Sequence, residues 1–246
     1  MSPKPRASPK PRAKPRTPKA AGLPDLREIV ARLEACHGTP EPPITRDPFA
    51  AAVLESVAYL VDDDRRRQVF ERLRDAVGIT PEGLLAVPED ELARLIAGGG
   101  MLPAHRAAKV QKAAAIAAEI GVDELRRQAA AGTGARLLRR FPGIGEPGAD
   151  RLLLLAHGKR TLAPDSNALR VLVRLGFGAE SEDYTAKYRS AAAVEPRLPD
   201  DFGWLVRAHQ LLRRHGQEVC KRSAPHCEVC PLTRLCAWYA EHASPL

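Results

Sequence analysis

Apolar residues recur with a helical rhythm along almost the whole chain. Leu26, Ile29, Val30 and Leu33 fall on one helix face, and Gly38 with Pro40, Pro42 and Pro43 closes that helix into a linker. Asp47-Pro48 reads as an N-cap followed by proline in the first turn, opening a helix over residues 48 to about 61. On it Phe49, Val53, Val57 and Leu60 share one side, while Glu55 and Tyr59, four apart, share roughly the opposite one. The run Asp62-Asp-Asp-Arg-Arg-Arg67 caps a helix over 68–77 rather than gathering a metal, because consecutive aspartates point in different directions. Further helices are expected over 81–86, 89–96, 105–120, 135–140, 149–156, 166–175, 184–193 and 202–217. Strand signals are scarce, so the fold class is all-α.

Two breaks in this rhythm carry chemistry. Gly98-Gly-Gly100 before Met101-Leu102 reads as a flexible loop with an apolar tip, either a plug for the core or a wedge to push between base pairs. Phe141-Pro142-Gly143-Ile144-Gly145 is a short turn between two helical runs. At the start of the second run the N–H groups of Gly143, Gly145 and their neighbours lack internal partners, so they form a donor site for an anion such as a DNA phosphate. Such a contact positions a duplex without reading its sequence.

Charge sharpens this picture. Of the net +8, seven charges come from Lys4, Arg6, Lys10, Arg12, Lys14, Arg16 and Lys19, with no acid among the first 22 residues, which leaves about +1 for the rest. A Pro-Lys/Arg repeat has no apolar residues to offset chain entropy, so it reads as an extended cationic arm attracted to nucleic acid. The 246 residues suffice for one large or two modest domains. No 18-residue apolar run is present and no apolar segment follows the basic N-terminus, which speaks against a membrane span and a signal peptide.

The cysteines are the most specific signal. Cys220, Cys227, Cys230 and Cys236 are spaced C-x6-C-x2-C-x5-C, and without a secretory signal they point to a metal rather than to disulfides. Four thiolates satisfy a structural zinc or a four-iron cluster, and spacing alone leaves both open. Lys221 and Arg222, in the loop between the first two, are placed to touch phosphate, and Cys36, far away, reads as a small core hydrophobe.

The turn FPGIGEPGA, Asp165 within Pro-Asp-Ser-Asn-Ala-Leu-Arg-Val and the four-cysteine tail together resemble the endonuclease III family of helix-hairpin-helix DNA glycosylases, over about residues 23–238. The resemblance implies a bilobal all-α fold. Residues 48–159 would form a six-helix barrel with the helix-hairpin-helix; residues 23–47 would pack with the C-terminal lobe, 160–246, which carries a [4Fe-4S] cluster on the four cysteines; residues 1–22 would be the arm. It further implies a monomer in the cytoplasm, associated with the nucleoid, acting on double-stranded DNA that contains a damaged or mismatched base.

The same resemblance makes Asp165 catalytic, as a carboxylate stabilising an oxocarbenium-like sugar and orienting water. Glu55 resembles the glutamate of monofunctional relatives, which protonates the leaving base or handles water. Bifunctional members carry a lysine two residues after the second hairpin glycine, and here that residue is Pro147. The expected activity is therefore base release without strand scission; a lyase using Lys159 or Lys109, or a non-catalytic iron-sulfur DNA-binding protein, are the alternatives. The family's glutamine-rich segment is replaced by Ala58-Tyr59-Leu60-Val61, in which Tyr59 could stack on a flipped base.

Overall fold

The computed structural model describes residues 22–242, so the basic arm lies outside them apart from Gly22. Thirteen α-helices are present among the described residues, with no strand. They are α1 (Leu26–His37), α2 (Pro48–Val57), α3 (Asp63–Val77), α4 (Pro81–Ala86), α5 (Glu89–Leu95), α6 (Pro103–Ile120) and α7 (Val122–Ala130). There follow α8 (Ala135–Leu138), α9 (Glu146–Leu155), α10 (Ser166–Arg174), α11 (Tyr184–Ser190), α12 (Phe202–Glu218) and α13 (Ala237–His242). No helix among these residues is long and apolar enough to cross a membrane.

Two cores organise the helices. One is built by α2 to α9 around Phe49, Val53, Phe70, Leu73, Leu92, Val110 and Leu138. The other joins α1 to the C-terminal half, with Ile29 and Leu33 packed among Leu172, Phe177, Leu205 and Leu211. Helix α9 belongs to both, since Leu152 and Leu153 enter the first core and Leu154 the second. Its exposed edge therefore lies at the seam between the lobes.

Helix α2 starts as its sequence requires: Asp47 accepts from Ala50 N–H at 2.8 Å and Pro48 fills the first turn. It is not one-sided as the periodicity suggested. Ala50, Ala51, Ala52, Val53, Ser56 and Val57 are all buried, because α3, α6, α7 and α9 surround it. It also stops at Val57, not near Val61. Tyr59 N–H donates to Gly99 O at 2.8 Å, and the buried Arg106 guanidinium takes the Val57 carbonyl together with those of Ile96 (2.9 Å) and Gly100 (2.8 Å). Leu60 is consequently on the surface and not on the core side.

The glycine triplet is a close-packing device rather than slack. A Cβ on Gly99 would stand 2.1 Å from Val57 O, and one on Gly100, whose φ is +107°, would stand 2.2 Å from Tyr59 O. Three further expectations are corrected. Helix α3 begins at Asp63, five residues early, with Asp62 as its cap. Helix α7 was not among the expected elements, because only Leu125 and Ala129 are buried on it and the apolar rhythm is faint. Cys36 is exposed, since the buried stripe of α1 passes to His37, which meets His215, and leaves Cys36 outside.

Candidate nucleic-acid interface and active site

Asp165 leaves a buried segment and opens α10. Thr161, Leu162, Ala163 and Pro164 are buried, and Ala163 is held at φ +41°, a left-handed backbone that disfavours alanine by about 1 kcal/mol or more. Buried His209 of α12 fixes this segment by donating from Nδ1 to Leu162 O at 3.0 Å. One Asp165 oxygen accepts from Asn167 N–H (2.9 Å) and Ala168 N–H (2.8 Å). The other faces Arg213 Nε at 3.3 Å. Asp165 is thus both an N-cap and a carboxylate turned to a cleft.

That cleft has a volume of about 800 Å³ and is lined by Asp165, Glu55, Arg66, Arg151, His209 and Arg213 among others. Glu55 ion-pairs with Arg151 at 2.7 Å and more loosely with Arg66 at 3.6 Å. Arg213 crosses between the lobes, joining Asp63 of α3 to Asp165. A second cavity of about 580 Å³ is lined by Gly143, Gly145, Pro147, Arg151, Asp165 and Tyr184 among others. Arg151 and Asp165 line both, so the hairpin turn and the cleft are contiguous.

In the hairpin, Gly143 sits at φ +77° and is exposed, as is Gly145, and Pro142 is half-buried. Ile144 points inward, and its N–H donates to Phe141 O at 3.2 Å, so it supports the turn and does not face outward. The N–H groups of Gly143, Gly145, Glu146 and Gly148 have no acceptor among the described residues, which leaves an anion-binding set at the start of α9.

Tyr59 does not stand over Glu55. With α2 ended, it is 58% exposed beside Leu60 (75%), Met101 (63%) and Leu102 (69%), in a patch held together by the Tyr59–Gly99 bond and by Arg106. The core-plug reading of Met101-Leu102 is thereby overturned, and the patch is an exposed apolar tip of two joined loops.

Cys220, Cys227, Cys230 and Cys236 are free thiols close enough to act electrostatically on one another. Burial, with the three neighbouring cysteines adding to it, pushes the Cys230 thiol up to about 11. Sulfur-directed donors surround them: Arg174 Nη1 reaches Cys220 at 3.2 Å, and the N–H groups of Leu232 and Tyr239 reach Cys230 and Cys236 at 3.4 Å. Arg174 also binds the carbonyls of Lys221 (2.9 Å) and Arg222 (3.2 Å), fixing a loop whose two basic side chains are exposed. Among the described residues no three His, Cys, Asp or Glu side chains converge on a one-ion site.

Burial, with Arg151 adding to it, lowers His209 to about 4. An unfolded histidine takes up its proton near pH 6.5 and His209 in the fold only near pH 4, so the unfolded state binds more protons in between and stability falls as pH drops through that window. The contribution is about 3 kcal/mol. His209→Asn, which keeps a donor for Leu162 O and does not titrate, should show a correspondingly shallower loss in denaturant unfolding between pH 6.5 and 4.5. An unchanged slope would contradict the assignment.

Sequence reasoning missed Arg66, Arg151, Arg213, His209 and Arg106. Only Arg66 had a local signal, in the Asp62–Arg67 run read purely as a cap.

No family model matches the chain. It is 30% identical over 162 residues to endonuclease III of Rickettsia conorii, an alignment covering 65% of this chain and 70% of that protein. It is 28% identical over 212 residues to thymine-DNA glycosylase of Aeropyrum pernix, covering 79% and 84% respectively. Its fold is similar to that of a trapped endonuclease III–DNA covalent intermediate, with a TM-score of 0.69, 24% identity and coverage of 89% of this chain and 97% of the other.

Proposed function

The chain belongs to the endonuclease III family of helix-hairpin-helix DNA glycosylases, and from this premise we propose that it is a monofunctional enzyme hydrolysing the N-glycosidic bond of a damaged or mismatched base in duplex DNA. The observation that carries the reading is the meeting of Asp165 and Glu55 in one cleft contiguous with the unpaired N–H groups of the hairpin. The hairpin donors would hold a phosphate beside the sugar. Lys221 and Arg222 would add phosphate contacts at the other lobe, and the tip of Tyr59, Leu60, Met101 and Leu102 would enter the stack as the base leaves.

Asp165 would act through the oxygen not committed to its helix. That oxygen can stabilise positive charge on the sugar and orient a water for attack. Glu55, ion-paired with two guanidinium groups, is arranged to accept; it suits the handling of water better than protonation of the leaving base.

The four thiols fit a [4Fe-4S] cluster. They are neighbours with N–H donors aimed at sulfur, as the thiolates of such a cluster require, and the four-cysteine tail is the part of the chain that resembles the family's cluster loop. Cys220, Cys227, Cys230 and Cys236 would hold the cluster, which in this reading is structural.

Against strand scission stands the lining of both cavities, which includes no lysine among the described residues. Lys159 is committed to buried Asp150 at 2.5 Å, and Asp150 also accepts from Tyr188 at 2.9 Å. Borohydride added during turnover should therefore trap no covalent protein–DNA adduct. A trapped adduct would restore the lyase, because only a Schiff base is reduced to a stable link.

A further inference from the structure

Two histidines lead from the cysteines to the first helix. His215, in the last turn of α12, is 1% exposed, and its Nε2 lies 3.4 Å from Cys230 Sγ. Its Nδ1 lies 3.1 Å from Nε2 of His37, the last residue of α1 and 178 positions away in the chain. The two rings meet edge to face, with centroids 5.4 Å apart. The His215 carbonyl is engaged as well, accepting from the N–H groups of Val219 at 2.9 Å and Cys220 at 2.8 Å. One residue therefore touches two of the four cysteines, Cys230 through its ring and Cys220 through its main chain.

Elementary chemistry places the hydrogens. A thiolate that holds iron offers lone pairs only, so the hydrogen in the Cys230 contact belongs to Nε2 of His215. No carboxylate touches His215 among the described residues, and burial disfavours a charged ring, so its Nδ1 is bare. A bare nitrogen can only accept, which makes His37 Nε2 the donor. His37 thus selects the tautomer of His215 that aims an N–H at sulfur, as an outer hydrogen bond fixes a metal-bound imidazole. Glu218 stands 3.3 Å from the other His37 nitrogen, longer than a normal N–H···O bond, and is itself tied to Arg214 at 2.9 Å. Arg214 also binds the His37 carbonyl at 2.8 Å, so the outer ring is held from the surface. Apolar side chains would fill the same space between α1 and α12 without the desolvation cost of two imidazoles in series, a cost that only their hydrogen bonds offset.

We propose that His215, oriented by His37, donates a hydrogen bond to the Cys230 sulfur of the cluster and thereby raises the cluster's reduction potential. An added electron spreads negative charge over the sulfurs with no bond made or broken, and an N–H aimed at sulfur stabilises the more negative state. Both histidines are positioning residues that act through Cys230. The inference rests on the four-iron reading of the cysteines and goes beyond it, since it assigns the cluster's electronics to residues outside the tail.

The test uses the full chain, purified without oxygen, as wild type, His215→Leu, His215→Gln and His37→Leu. Iron and sulfide are assayed, the potential is taken by voltammetry, and Fe–S stretching bands are recorded in H2O and D2O. His215→Leu should move the oxidised-to-reduced ratio at a fixed potential about tenfold toward oxidised, about 59 mV for a one-electron couple, and should lose the D2O sensitivity of the bands. His215→Gln, which keeps an N–H for the sulfur, should recover most of the potential. His37→Leu, which touches no sulfur, should shift the ratio in the same direction by about threefold. A wild-type potential in either leucine variant overturns the proposal. So do D2O-insensitive bands in wild type, or equal shifts in His215→Leu and His215→Gln, which would mark packing or water entry. If His215→Leu holds no iron, His37→Leu decides by the same criterion. Wild type that takes up no iron refutes the cluster reading and the proposal with it, whereas full iron with an unmoved potential refutes the proposal alone.

Discussion

Asp165→Asn should slow base release by about 10²- to 10⁴-fold in single turnover while leaving duplex affinity within a few-fold of wild type. The substitution isolates charge from structure. An asparagine still offers an oxygen to the N–H groups of Asn167 and Ala168, so α10 keeps its cap and the strained Ala163 segment keeps its shape. What disappears is the anionic oxygen facing Arg213 and the cleft. Undiminished release would reduce Asp165 to a helix cap and remove the centre of the mechanism proposed here.

Cys230→Ser should cost the protein its iron and, with it, the order of the C-terminal tail. The segment after α12 has almost no core of its own. Leu232 is buried, but the short turns at Cys227–Val229 and Thr233–Leu235 and the whole of α13 contribute no buried residue. A segment so poor in apolar burial needs a cross-link, and four thiols around a cluster would supply it. Iron and sulfide analysis should fall to background, limited proteolysis should open between residues 219 and 236, and duplex affinity should drop as the loop carrying Lys221 and Arg222 loses its frame. Full iron content with an unchanged proteolytic pattern would contradict the assignment.

What could be read from the sequence follows from how local each feature is. Asp165 and the four cysteines announce themselves because their partners lie within a few residues: a helix start in one case, one short tail in the other. The hairpin was equally legible, since glycine spacing dictates a turn and leaves helix N–H groups unpaired. The cleft was not. Glu55, Arg66, Arg151, Asp165 and Arg213 come from α2, α3, α9, α10 and α12, and only the packing of two lobes against α9 brings them together. Read singly, Arg66, Arg151 and Arg213 were ordinary helix-surface residues, and nothing local joined them to Asp165 and Glu55.

The position of Tyr59 shows the same limit from the other side. Nothing in Val57-Ala58-Tyr59-Leu60 stops a helix. The stop is imposed by Gly99, which accepts from Tyr59, and by Arg106, which captures the Val57 carbonyl, both some forty to fifty residues away in sequence. Extending α2 by one turn in the reading placed Tyr59 over Glu55 and Leu60 in the core. The fold instead sends both outward, where Met101 and Leu102 join them. The glycine triplet, which the sequence suggested as slack, is what allows the two loops to lie so close.

The most direct test is single-turnover incubation of the full chain with duplexes carrying a panel of damaged and mismatched bases, each product resolved with and without hot alkali. Free base should appear from at least one of these duplexes, with strand breaks appearing only after alkali. Binding of these duplexes with no base released from any of them, or breaks that need no alkali, would contradict the proposed function.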